Sequence, residues 1–182
     1  MILTLTGVPG AGKSTIAKLL SEKLSIPWYS LGDLRGKMAM ERGMTIDELN
    51  ALGETEAFTD NEIDAYQEKL GKEQDNLILE GRLSWHFIPS SLKIFLDVDE
   101  DVAAQRIFGA SKKGLRKDEL PFTSVEDVKN RVRERLASDA RRYKKYYNVD
   151  YLDRSNYDLV INTTHLSPEE ILAQILEHLP SS

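Results

Sequence analysis

Gly7-Val8-Pro9-Gly10-Ala11-Gly12-Lys13-Ser14-Thr15, written GVPGAGKST, lies between an apolar run over 2–6 (ILTLT) and a helical pattern over 13–24. In that pattern Ile16, Leu19, Leu20 and Leu24 recur at helical spacing. A strand that turns through glycines into a helix aims backbone N–H groups, and the positive end of the helix dipole, at an anion. Gly7, Gly10 and Gly12 permit the tight curl, and Pro9, Ala11 and Thr15 complete the loop. In the G-x-x-x-x-G-K-S spacing Lys13 reaches the β- and γ-phosphates of a nucleotide, and Ser14 supplies a hydroxyl to Mg²⁺. The loop holds phosphates; by itself it does not decide whether the last one goes to water, goes to a second molecule or serves as a switch.

Outward from the loop, further apolar runs fall at 26–30, 77–79, 92–98 and 157–162. They are short and do not alternate, which predicts strands buried on both faces of a parallel sheet. Helical patterns separate them. Thr45-x-x-Glu48, Thr59-x-x-Glu62 and Ser167-Pro168-Glu169-Glu170 predict three capped helix starts, the last of them opening a helix that stops at Pro180. A long polar-to-basic helix is expected from about Ser124 to Tyr147. Strands joined by helices give right-handed crossovers and a three-layer α/β domain. Two stretches exceed simple crossovers: 33–72, which holds several helices, and 108–124, a Gly/Lys/Pro-rich loop with the composition of a mobile flap.

The chain has 182 residues, 41% of them hydrophobic, which suits one domain with a real core. No apolar run approaches the ~20 residues that span a bilayer. The run at 2–6 is followed at once by the loop and reads as a strand, so a cytoplasmic protein is expected. Without cysteine there are no disulfides, no thiolate catalysis and no Cys-ligated zinc. His86, His165 and His178 lack ligand-like spacing. The formal net charge is −6, yet 13 Lys and Arg face 6 Asp and Glu between Arg106 and Lys145. A basic segment in an acidic chain points to a local anion site; a nucleic-acid polymer would ask for a broader basic surface.

Switch GTPases are not matched: Asp33-Leu34-Arg35-Gly36 fits D-x-x-G only literally, and no N-K-x-D occurs. Glu80 and Asp97 end apolar runs, as a magnesium partner would, but such carboxylates suit hydrolysis and transfer equally. Arg82, in Glu80-Gly81-Arg82-Leu83, stands at the carboxyl end of the sheet as a fork for a phosphate or as a structural ion pair. Ser30, Asp33 and Arg35 are expected across the cleft from it. Asp60 and Asp64 share a helix face, where they bind base amino groups or ribose hydroxyls, or simply face solvent. Arg106, Arg116, Arg131, Arg135 and Arg142 add guanidiniums beside the loop, Arg131 one turn before Arg135 and Arg142 two turns after it. Charge in a phosphoryl-transfer transition state spreads over the transferring oxygens, so fixed guanidiniums and a flap that excludes water favour a kinase.

GVPGAGKST, YSLGDLRGKMA, ERGMTIDEL, DNEIDAYQ, LILEGRLSW, RLASDARRYKKYY and YDLVINTT together resemble the cytidylate kinase family in its short archaeal and bacterial form, from Met1 to about Leu179. The resemblance implies a P-loop NTPase fold with a five-stranded parallel sheet. It implies a core (1–30, 73–107, 125–182), a helical region for the nucleoside monophosphate (31–72) and a lid (108–124). The implied reaction moves the γ-phosphate of ATP to CMP or dCMP with Mg²⁺, by direct in-line transfer in a monomer. By position, Lys13 and Ser14 would hold ATP phosphates and Mg²⁺. Ser30, Asp33, Asp60, Asp64 and Arg82 would face the acceptor, and Arg106 would lie against ATP. Arg135 and Arg142 would bridge the two substrates' phosphates, and Asn162 to His165 would border the adenine. Two departures stand out. Gly36 replaces a family Arg, with Arg35 one position earlier, a rotation of ~100° on a helix. Ala110 stands near the place of a second lid Arg, followed by Lys112, Lys113 and Arg116. Kinases for AMP, UMP or another small acceptor, and a P-loop ATPase or regulatory module without an acceptor, remain the alternatives.

Overall fold

The computed structural model describes residues 1–114 and 121–179. The sheet is built on β1 (Ile2–Gly7), flanked by β3 (Leu77–Glu80) and β4 (Leu92–Asp97), with β2 (Trp28–Ser30) and β5 (Leu159–Asn162) at the edges. All four pairings are parallel; Thr4 lies opposite Leu79 and Lys93. The expected five-stranded three-layer fold is present. Centrality explains why β1 does not alternate: both faces are covered, and from Leu3 onward every residue is buried. Its two threonines are tolerated because each hydroxyl is bonded, Thr4 to Ser91 (2.9 Å) and Thr6 to the Gly81 carbonyl (2.8 Å).

One face packs Leu3, Leu5, Ile78, Ile94 and Leu96 against α1 (Lys13–Leu24) and α8 (Pro168–Glu177). The alternate residues Leu77 and Leu79 face the other way. They meet α2 (Leu31–Glu41), α3 (Ile46–Gly53) and α4 (Phe58–Glu73), which are inserted between β2 and β3. Phe95 turns to the same side, against Trp85 of the short α5 (Ser84–Phe87) and Tyr157. α6 (Glu100–Lys112) and α7 (Val125–Tyr147) pair through Ala104, Ile107 and Val128, and α3 also contacts α7. Among the described residues no helix is long and apolar enough to cross a membrane.

Thr45 and Ser167 form complete capping boxes with Glu48 and Glu170, and Ser124 caps α7. Ser167→Ala is expected to cost about 1 kcal/mol, lowering Tm by about 2–4 °C in a thermal melt, because α8 seats the buried Ile171 and Ile175 against the sheet. The third expected box is absent. α4 starts at Phe58 after Ala57, and the Thr59 hydroxyl donates to the Glu56 carbonyl (3.2 Å), while Glu62 pairs with Arg42 (3.1 Å). Thr59 is fully buried, so packing rather than capping places it. Of the flap expected over 108–124, residues 108–112 are instead the end of α6, and 115–120 lie outside the described residues. Arg116 and Pro180 lie outside the described residues; α8 itself ends at Glu177.

Candidate active site

The loop between β1 and α1 owes its shape to two glycines with different needs. Gly10 has φ 84°, and a Cβ there would lie 2.8 Å from the Ala103 backbone, so the position lacks both room and a permissive conformation. Gly12, the residue before α1, has φ 86° and open space around it; its requirement is conformational alone. Every other helix of eight or more described residues carries Asp or Glu in its first turn, as the dipole favours. α1 carries none and opens on Lys13. Positive charge at a positive helix end is an arrangement suited to an anion.

Lys13 Nζ donates to the Val8 carbonyl (2.9 Å), curling back over the loop. Ser14 Oγ donates to Glu80 Oε1 (3.0 Å), which joins the loop to the end of β3. Burial raises the Glu80 carboxyl above its ordinary value, against the opposing pull of Lys13, and its Oε2 is buried with no partner.

A cleft of about 710 Å³ runs from this loop to the inserted helices, a size that suits small-molecule ligands. Its walls hold Gly7, Pro9, Gly10, Ala11, Gly12, Lys13, Ser14 and Thr15 at one end. At the other stand Ser30, Asp33, Arg35, Asp60, Asp64, Arg82 and Arg142, and Arg106 and Arg135 line the cleft as well. Ser30 caps α2 by accepting from the Asp33 N–H (3.1 Å). Arg106 donates to the Thr163 carbonyl (2.9 Å) beside the loop, close to the apolar Leu166 and Ile171 on the same wall.

The far end is a chain of alternating buried charges. Arg35 donates to Asn50 (2.8 Å), the Thr59 carbonyl (2.9 Å) and Asp60 (3.0 Å). Arg142 reaches Asp60 (3.4 Å) and Asp139 (2.6 Å), and Arg82 completes the chain on Asp139. Burial alone would raise the Asp139 carboxyl; the guanidiniums of Arg82, Arg142 and Arg135 outweigh it and hold the group below its ordinary value. Buried ion pairs of this kind need every member satisfied. Two donors are left over: Arg35 Nη2 and Arg142 Nε are buried without a partner. Unfilled guanidinium donors in a cleft wall fit the oxygens of an anionic ligand. Arg35 thus reaches the cleft although it sits one position before the family arginine.

Three expected site residues do not line the cleft. Arg131 pairs with Asp47 (2.9 Å) and lies over the Phe122 ring (4.2 Å). Asn162 accepts from the Thr164 N–H (2.9 Å), and His165 is exposed. Conversely, Asp139, Asn50 and Gln67 are in the walls and were not singled out from sequence. Asp139 was visible within the SDARRY string, but a carboxylate among arginines reads there as ordinary charge alternation.

A phosphate loop at the mouth of a parallel sheet, facing a cluster of guanidiniums across one cleft, defines a P-loop phosphotransferase architecture. Residues 2–165 match the cytidylate kinase-like family. Cytidylate kinase of Methanobrevibacter smithii is 41% identical over 179 residues, covering 98% of each chain. That of Methanothermobacter thermautotrophicus is 40% identical over 169 residues, 93% of this chain and 99% of the relative. The chain belongs to the cytidylate kinase-like family. Among solved structures, an uncharacterised protein of Eubacterium ventriosum aligns with TM-score 0.72 at 17% identity, over 100% of this chain and 99% of that one. Shikimate kinase of Aquifex aeolicus aligns with TM-score 0.56 at 22% identity, over 97% and 94%. These two show a shared fold.

Proposed function

We propose that the protein transfers the γ-phosphate of ATP to CMP or dCMP, releasing ADP and CDP or dCDP. The observation that carries this reading is the Arg35–Asp60–Arg142–Asp139–Arg82 chain, with spare buried donors, across one cleft from the phosphate loop. A site for hydrolysis alone has no use for a second anion-binding end. The 41% identical relative named a cytidylate kinase supports the choice of acceptor. Residues 31–72 then form the acceptor region, and 1–30, 73–107 and 125–182 the frame that holds the donor.

Lys13 and the N–H groups opening α1 orient the donor phosphates, and Arg106 flanks the nucleotide beside Leu166 and Ile171. Arg35, Arg82 and Arg142 hold the acceptor phosphate with one oxygen toward the γ-phosphorus; Arg135 lines the same cleft. That oxygen attacks in line, and the bond from γ-phosphorus to the ADP oxygen breaks, so no enzyme group is covalently modified. The chain's task is positioning and charge stabilisation. Ser14 and the partnerless Oε2 of Glu80 offer a hydroxyl and a carboxylate, hard oxygen donors of the kind Mg²⁺ takes alongside substrate phosphates. Bound there, Mg²⁺ would neutralise charge on the phosphate oxygens. Both nucleotide ends come from one chain, so a monomer suffices, and the cytoplasm supplies both substrates.

The test is ADP formation from ATP and Mg²⁺ with CMP, dCMP, UMP, AMP and GMP in parallel. CMP and dCMP should give the largest kcat/KM. ADP released at one slow rate, whatever monophosphate is added, would overturn the reading in favour of an ATPase.

A further inference from the structure

Asp60, Ile63, Asp64 and Gln67 form one stripe of α4 along the cleft wall. Gln67 is only 1% exposed. Its Nε2 donates to Asp64 Oδ1 (2.9 Å), and Tyr147 of α7 donates its hydroxyl to Asp64 Oδ2. A carboxylate can only accept, so this bond fixes which end of the Gln67 amide faces Asp64. The amide oxygen is left over, and it is buried with no partner. The wall therefore presents two adjacent acceptors, the Gln67 oxygen and the remaining lone pairs of Asp64, with the Gln67 nitrogen turned toward Asp64. Tyr147 is pinned edge-on against Phe87, with ring centroids 5.5 Å apart at 85°.

We infer that Gln67 and Asp64 together select an acceptor base carrying an exocyclic amino group, whose two N–H donors they receive, and that Tyr147 positions Asp64 for this. Uracil would bring a carbonyl oxygen against two acceptors and leave all of them unsatisfied, the kind of mismatch by which hydrogen-bonding sites reject analogues. The pair reads the amino group and not the size of the ring. The inference rests on the kinase reading above but adds a determinant of specificity to it.

Asp64 offers acceptors alone only when ionised; protonated, it carries a donor O–H. Burial raises its carboxyl to about 6, with Asp60 of the same helix pushing the same way. Tyr147 from α7, Gln67 from its own helix and Arg35 from α2 pull it down. Amino-group recognition therefore strengthens as the pH rises through about 6 and weakens as the pH falls through that value. Removing the Tyr147 hydroxyl takes away a lowering interaction, so the loss should move to higher pH.

The experiment compares kcat/KM for CMP, UMP and the 4-deamino analogue pyrimidin-2-one riboside 5′-monophosphate in the native enzyme and in Gln67→Leu and Tyr147→Phe. Gln67→Leu should lower the CMP value by about 10- to 100-fold, leaving UMP and the deamino analogue within about threefold. Tyr147→Phe should raise KM for CMP more than it lowers kcat, and should shift the acidic limb of the CMP profile upward. Equal losses on all three acceptors in Gln67→Leu, or an acidic limb unmoved in Tyr147→Phe, would overturn the inference while leaving the kinase reading intact. Failure of the native enzyme to use CMP at all would overturn both. Should Gln67→Leu not fold, Gln67→Met serves instead: it too removes the amide oxygen, and a CMP/UMP preference unchanged from native at pH 7.5 would overturn the assignment.

Discussion

Lys13→Ala is expected to reduce kcat by about 10³-fold or more while leaving the protein folded and its Tm within about 2 °C of native. The two halves of that expectation have separate physical grounds. Lys13 is the first residue of α1, where a cation opposes the helix dipole and the first turn itself holds no acidic residue. Its Nζ donates to the Val8 carbonyl in the part-buried loop, and its charge acts on the Glu80 carboxyl. Removing it takes away an unfavourable end charge and a modest bond, which nearly offset each other in stability. In catalysis nothing replaces it, because the charge that develops on the transferring oxygens faces this end of the cleft. Steady-state kinetics with CMP and a thermal melt decide the matter. Turnover within tenfold of native would remove Lys13 from the chemistry, and a large fall in Tm would make it structural.

The second large effect is expected at Asp139. Asp139→Asn keeps the volume but deletes the charge that holds both Arg82 and Arg142. Arg142 is 1% exposed and would retain only the longer contacts to Asp60 and the Tyr143 hydroxyl. Breaking a buried pair while leaving its partner charged costs about 3–5 kcal/mol, here a fall in Tm of about 10 °C. Activity with CMP should fall by more than about 100-fold, since displaced arginines no longer present their spare donors to a phosphate. Adding Arg142→Met should recover part of the stability and none of the activity; strictly additive losses in Tm would show that the two side chains do not form a unit. The pH dependence has a definite sign. The folded Asp139 carboxyl lies below its ordinary 3.8, so its contribution is present above 3.8 and is lost as pH falls through the lowered folded value. The gap in stability between native and Asp139→Asn should therefore close at the acid end only.

The donor half was legible because its signals are local. A strand, three glycines, Lys and Ser in one continuous nonapeptide fix both backbone and chemistry, and the structure places all of them on one wall. Arg82 and the Asp60/Asp64 spacing were legible for a similar reason, since each follows from position at a strand end or along one helix face. The Thr59 box failed because the same Thr-x-x-Glu spacing is satisfied by a buried threonine at the second position of a helix. Arg131 looked equivalent to Arg135 and Arg142, and it does share their side of the helix, yet nearer the start of α7 its guanidinium is held by Asp47 and the Phe122 ring, off the cleft wall.

The sequence by itself determined the sheet, the loop and the sign of the charge around it, because periodicity and glycine spacing act over a few residues. Only the tertiary structure decided which cations keep donors free for a ligand and which spend them on carboxylates. Arg35 meets Asp60 across 25 residues, Arg82 meets Asp139 across 57, and Tyr147 meets Asp64 across 83. Partners that distant in the chain are chosen by packing of α4 and α7 against α3 and their other neighbours, and no local pattern records that choice.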